Sequence, residues 1–195
     1  MEHYFTKEPH SKLEIFKIKT ILKNKELEFY TATGLFSYKH LDIGTALLIN
    51  HAIIRKKSTI LDLACGYGAV GIALKLFNPT IEATFSDINE RAVSITQKNL
   101  DFYGMKGEVL QSDGFEHIPQ NFTTILLNPP QTAGKETCFH LIEQAYNHLT
   151  KNGTLQLVAR HNKGGQTLSK KMQEVFGNVS EGAKKAGYRI YLSKK

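Results

Sequence analysis

The sequence predicts an α/β protein built on a doubly wound, mostly parallel sheet, and three observations carry that expectation. From Ser58 onward, short β-branched apolar runs alternate with longer amphipathic stretches. A glycine-rich loop, with Gly66, Gly68 and Gly71, follows the first of those runs directly. Acidic residues stand at the C-terminal ends of successive expected strands, which is where open parallel sheets bind their ligands.

Before that rhythm begins, "KLEIFKIKTIL" and "ELEFYTAT" alternate apolar and polar residues about a polar "KNKE" connection, the pattern of a β-hairpin. A glycine-punctuated loop over 34–44 leads to "TALLINHAII", whose apolar spacing predicts a helix over 45–54. The core units then follow: strand 59–64, helix 70–77, strand 81–87, helix 91–104, strand 107–113, strand 123–128, helix 136–149 and strand 153–159. A helix over 166–177 and two closing strands within 178–195 complete the pattern. Neither a repeat nor a low-complexity linker interrupts it. Residues 1–43 therefore read as a hairpin extension with a substrate or cofactor loop, and 44–195 as the main domain of one structural unit.

At 195 residues with 41% hydrophobic and 22% charged side chains, the chain can bury one sizeable core. No apolar run is long enough to span a bilayer, and "MEHYFTKEPHSK" lacks the apolar segment of a leader, so a cytoplasmic location is expected. Two cysteines, Cys65 and Cys138, give no disulfide framework and read as reduced thiols. The histidines show no metal-ligand spacing, so no metal is expected. A net charge of +7 suits a polyanionic partner such as a nucleic acid, with a merely basic surface as the competing reading. Oligomeric state is left between monomer and weak dimer.

In "LDLACGYGAVG" the glycines spell G-x-G-x-x-G, and Asp87 ends the next strand roughly 20 residues on, the spacing of a dinucleotide fingerprint. Asp62 alters that reading. A carboxylate within the preceding strand repels a pyrophosphate and suits a ligand carrying an ammonium and a sulfonium, as S-adenosylmethionine does. The competing role for Asp62 is to cap the following turn. A dehydrogenase pair is also missing, since Tyr191-x-x-x-Lys195 lies on an expected strand. "LQSDGFE" brings Ser112, Asp113 and Gly114 to the same crevice. There Asp87 would hold ribose hydroxyls and Asp113 the adenine amino group, with Ile88 or Phe115 against the ring; Phe115 reads equally well as core.

The strand 123–128 runs into Asn128-Pro129-Pro130, and two prolines cannot both serve a sheet ladder, so the chain leaves the sheet here. The Asn128 amide oxygen and the Pro129 carbonyl, whose backbone Pro130 restricts, could accept both hydrogens of a planar amine. Acceptors so placed stabilise the positive charge that grows on the nitrogen during its attack on an electrophile. A plain strand-ending turn is the alternative.

The order "LDLACGYG", "SDIN", "SDGFE", "LLNPP" resembles the class I S-adenosylmethionine-dependent methyltransferases that act on planar amines. With "TGLFSYKHLDIGTALLI", "NPPQTAGKE" and the tail from Val175, the chain is similar to single-domain relatives of the small-subunit ribosomal RNA guanine-N2 methyltransferases from about Leu13 onward. The resemblance implies a Rossmann-like sheet of seven strands with the last antiparallel, and S-adenosylmethionine at Asp62, Ala64, Gly66, Gly68, Asp87, Ile88, Ser112, Asp113, Gly114 and Asn128. It also implies catalysis by Asn128, Pro129 and Pro130, and a substrate loop over 34–44 presenting Phe36 and Ser37. Ala64 stands where the family usually has glycine, a change tolerated if the backbone there is extended. Gln131 stands where many amine methyltransferases carry an aromatic, so either another ring, Phe36 or Tyr38, stacks on a target base or the base is held by its edges. Rim residues Gln131, Lys135, His161 and Lys163, with Lys39, His40 and Arg160, are the candidates for contacting RNA. "KNKE" and "KKAGYR" offer a second basic edge. Protein-glutamine or adenine-N6 methylation, and a non-catalytic module that binds RNA or cofactor, remain open alternatives.

Overall fold

The computed structural model describes residues 6–8 and 11–195. The reading of "MEHYFTKEPHSK" as leader-free falls largely on residues 1–5 and 9–10, which lie outside the described residues. Strands β1 (Ile15–Leu22) and β2 (Lys25–Ala32) pair antiparallel in unbroken register, from Ile15 opposite Ala32 to Leu22 opposite Lys25. Their turn is only Lys23-Asn24, with φ of 47° and 63°. Two left-handed residues in succession give the turn whose twist matches that of the flanking strands.

Helix α1 (Ile43–His51) starts two residues earlier than its apolar spacing suggests, because Asp42 caps it by accepting the Thr45 N–H at 2.9 Å. The core units are β3 (Thr59–Leu63), α2 (Ala69–Phe77), β4 (Glu82–Asp87), α3 (Glu90–Phe102), β5 (Glu108–Gln111), β6 (Phe122–Leu127), α4 (Lys135–Asn147) and β7 (Leu149–Arg160). They are followed by α5 (Gln166–Phe176), β8 (Ser180–Lys185) and β9 (Tyr188–Lys194). The seven-stranded sheet has the order β5-β4-β3-β6-β7-β9-β8. β3 is parallel to β4 and β6, and β9 is antiparallel to β7 and β8, as the resemblance implies.

The period of two along each strand divides the core between the two faces. Ile60 and Leu126 join the cluster under α1, α2, α3 and the hairpin, while Leu61, Leu63, Ile125 and Leu127 join the one under α4 and α5. Hairpin residues Ile18, Leu22, Leu27 and Phe29 belong to the first cluster. Two side chains of α3 and its C-cap attach the hairpin further by imitating a neighbouring strand. Asn99 accepts from the Tyr30 N–H at 2.7 Å and donates to the Tyr30 carbonyl at 2.9 Å, and the Tyr103 hydroxyl does the same with Glu28 at 2.9 and 2.8 Å. α2 approaches β4 closely at Gly71, where a β-carbon would run into the Phe85 ring.

From β3 the chain winds outward through β4 and β5, then returns to β6 on the other side of β3. That reversal opens a crevice beyond the C-terminal ends of β3 and β6.

Candidate active site

A cavity of about 290 Å³ occupies this crevice. At its floor, Asp62 is 3% exposed and accepts the Gly71 N–H at 2.8 Å, in the first turn of α2. Asp62 therefore caps the helix while lining the cavity. Asp87, at the end of β4, accepts the Gly66 N–H at 2.8 Å and the Asn89 N–H at 3.0 Å, fixing the glycine loop to the next helix start. Burial pushes the Asp62 carboxyl up to about 8, with Asp87 adding to the rise, and pushes Asp87 up to about 6 against its backbone hydrogen bonds.

Ala64 departs from its expected extended backbone, since its φ is +56°. The chain has to turn left-handed there so that the Cys65 N–H can reach the Ser86 carbonyl at 3.0 Å and Gly66 can reach Asp87. An L-residue pays about 1–2 kcal/mol for that conformation. Gly66 also has positive φ, and Gly68, at φ 77°, stands as N-cap of α2, outside the cavity wall. Ala64, Ile88, Ser112, Asp113 and Gly114 line the cavity. Phe115 does not; it is stacked on His148 with ring centroids 4.4 Å apart, inside the core under α4.

Asn128, Pro129 and Pro130 form the wall beyond β6. Asn128 Nδ2 donates to Thr45 Oγ1 at 2.9 Å and to Asp42 Oδ2 at 3.3 Å, and Asp42 Oδ1 accepts the Tyr188 hydroxyl at 3.1 Å. The Pro129 carbonyl accepts the Gln131 N–H at 2.8 Å, which occupies one of its two lone pairs.

The substrate candidates divide into three groups. Phe36 lines the cavity and is 40% exposed. Gln131, Lys135 and Lys163 line a neighbouring cavity of about 190 Å³, where Gln131 donates to the Lys163 carbonyl at 3.2 Å. Ser37 and His161 line neither. Ser37 has φ 51° and donates to the His40 carbonyl at 2.7 Å, which shapes the loop, and His161 Nδ1 sits 2.7 Å from the Tyr191 hydroxyl. Tyr38 packs on Phe16, with Lys39 over its ring, and the Arg160 guanidinium lies over Tyr188.

Residues that the motifs did not reveal also reach the site. Thr45 and Ser86 line the cavity, and Asp42 stands behind Asn128. The capping spacing Asp42-x-x-Thr45 before an apolar run was the available signal for Asp42 and Thr45. Ser86 Oγ is buried at the cavity without a hydrogen-bond partner among the described residues. Buried carboxyls that are costly to ionise, an orphaned hydroxyl and a glycine loop together fit a polar ligand that brings positive charge, as S-adenosylmethionine does. Among the described residues there is no cluster of three or more potential metal ligands, and no helix is long and apolar enough to cross a membrane.

The methyltransferase small domain model matches residues 26–192. The chain is 34% identical over 198 residues to Bacillus subtilis YbxB, described as uncharacterized, covering 100% of this chain and 98% of that protein. It is 36% identical over 164 residues to ribosomal RNA small subunit methyltransferase C of Mannheimia succiniciproducens, covering 80% of this chain and 49% of the relative. In fold it is similar to the Thermus thermophilus 16S rRNA N2 G1207 methyltransferase solved with AdoMet and guanosine, at a TM-score of 0.81 and 23% identity, over 96% of this chain and 52% of that one. The chain thus spans about half the length of the ribosomal RNA methyltransferases it matches. By these matches, with which the sheet order and the polar crevice at the strand ends agree, the chain belongs to the methyltransferase small domain family and is a class I S-adenosylmethionine-dependent methyltransferase.

Proposed function

We propose that this chain methylates the exocyclic N2 amine of guanine in RNA, with small-subunit ribosomal RNA as the substrate. The observation that carries the reading is the Asn128 amide, whose nitrogen is held by Thr45 and Asp42, leaving Oδ1 as the group that accepts a hydrogen at the cavity. When bound, S-adenosylmethionine supplies an electrophilic methyl group on a sulfonium. Asn128 Oδ1 accepts a hydrogen bond from one amine N–H, and the second lone pair of the Pro129 carbonyl accepts one from the other. These acceptors favour the nitrogen as its positive charge develops, and the released proton passes to water without a strong base.

Phe36, exposed at the cavity rim, supplies the ring that Gln131 cannot. Lys135 and Lys163 in the adjoining cavity, together with the +7 charge, suit a phosphate backbone. The names of the relatives, ribosomal RNA small subunit methyltransferase C and the N2 G1207 enzyme, support the same substrate. That substrate accords with the cytoplasmic setting expected from the sequence.

The test is transfer of labelled methyl groups to small-subunit ribosomal RNA transcribed in vitro, followed by nucleoside mass analysis. We expect N2-methylguanosine from the native protein and a loss of about 10²-fold in rate for Asn128→Ala, with cofactor binding retained. Label in N6-methyladenosine or in protein, no transfer by the native protein, or an undiminished rate in the variant would each overturn the reading.

A further inference from the structure

We infer that Asp42 and Thr45 are positioning residues that set the polarity of the Asn128 amide, and that this polarity selects substrates presenting an amine over substrates presenting an acceptor. The inference rests on the amine clamp proposed above.

A primary amide has almost the same shape either way round, so a half-turn about its last bond exchanges donor for acceptor at little steric cost. Only the neighbours can choose. The two Nδ2 hydrogens of Asn128 find Thr45 Oγ1 at 2.9 Å and Asp42 Oδ2 at 3.3 Å. Turned over, Oδ1 would face that carboxylate oxygen at a similar distance with no proton between them, while the NH₂ group would meet the substrate amine, donor against donor.

Asp42 is itself held from three directions. It caps α1 through the Thr45 N–H at 2.9 Å, lies 3.5 Å from the Thr45 hydroxyl, and accepts the Tyr188 hydroxyl of β9 at 3.1 Å. Gly44 leaves the room this needs, because a β-carbon there would sit 2.8 Å from the Tyr188 ring and 2.9 Å from Asp42 Oδ2. The carboxylate that orients the clamp is therefore fixed by a helix start and by a strand remote in sequence.

The test uses Thr45→Val, which removes the hydroxyl at nearly constant volume, and Thr45→Ser, which keeps it. Methyl transfer to the in vitro transcribed ribosomal RNA is measured beside cofactor affinity by calorimetry. Thr45→Val should lower kcat roughly tenfold, the worth of a lost hydrogen bond, with the cofactor dissociation constant within about twofold of the native value and Thr45→Ser close to native. Added to Asn128→Ala, Thr45→Val should cause no further loss, because both changes remove the same function. A native kcat in Thr45→Val overturns the inference. So does an equal additional loss in the Asn128→Ala background, or a fall in cofactor affinity that matches the fall in rate. Full activity of Asn128→Ala would instead remove the clamp itself, and the inference with it.

Discussion

Ala64 carries backbone strain in the middle of the cofactor loop. Its φ of +56° is enforced by the bonds that Cys65 and Gly66 make just after it, and its side chain adds only one methyl to the core under α4 and α5. Ala64→Gly should therefore stabilise the protein by about 0.5–1 kcal/mol, the relief of the left-handed conformation less the added freedom of the unfolded chain, as read from urea unfolding. The two buried carboxyls make a prediction in pH. Unfolded aspartate titrates near 4, whereas folded Asp62 and Asp87 titrate at about 8 and about 6. Between those values the folded state keeps protons that the unfolded state has released, so the stability these groups contribute is complete below about pH 4 and is lost as pH rises through 6 and then 8. A cationic ligand reverses the trend by favouring the ionised carboxylates. Thermal unfolding from pH 5.5 to 8.5 should show the cofactor raising Tm more at the alkaline end, and a Tm gain independent of pH would count against this account. The sequence marked Asp62 and Asp87 by their places at strand ends. It could not show the strain at Ala64, because the deciding hydrogen bonds come from another strand.

At the scale of elements, the hairpin is tied to the cofactor loop through one residue of α3. Asn99 is fully buried, and besides its two bonds to Tyr30 it donates to the Tyr67 carbonyl at 2.9 Å. Asn99→Leu fills the same space and leaves the half-buried N–H and carbonyl of Tyr30 and the buried Tyr67 carbonyl unmatched, a cost of about 2–4 kcal/mol in unfolding free energy. The Tyr30 amide should also exchange with deuterium faster, and the cofactor should bind more weakly because the loop at Tyr67 loses a support; an unchanged exchange rate would mean that β2 is held by its apolar contacts alone. The hairpin was legible from its alternation, and the helices of the main domain from their spacing. The attachment of one to the other was not. Asn99 sits in "TQKNLDFYG" as an ordinary polar residue of an amphipathic helix, and only packing reveals that its amide faces a strand edge. Apolar spacing also starts α1 too late, for a related reason: periodicity marks the buried face of a helix, whereas Asp42 sets its beginning through one hydrogen bond.

Across the whole molecule, the sheet order follows from a few rules that the sequence exposes. Strands separated by helices wind in parallel, and the two-residue turn at Ala186-Gly187 forces the last two strands to run antiparallel. The position of the cofactor crevice follows from that order, as does the convergence of Asp62, Asp87 and Asn128 from three separate strands. Charge is a property of the same scale. Lys135 and Lys163 border the second cavity from different elements, one at the start of α4 and the other in the turn before α5. If RNA is the substrate, as proposed above, replacing both by glutamate should weaken its binding and reduce the slope of log affinity against log salt by about 2, with cofactor affinity unchanged; an unaltered slope would remove these lysines from the proposed contact.

Tyr188 lies on the strand that the ribosome makes last among those in the sheet, yet that strand is threaded between two earlier ones and its hydroxyl steadies Asp42. Every residue that lines the crevice thus precedes, in order of synthesis, the hydroxyl that steadies Asp42. A chain cut before Tyr188 would lose that hydroxyl together with the buried Ile190 and Tyr191 and the strand that holds β8, so the support behind the amide and the closing of the sheet arrive in one step.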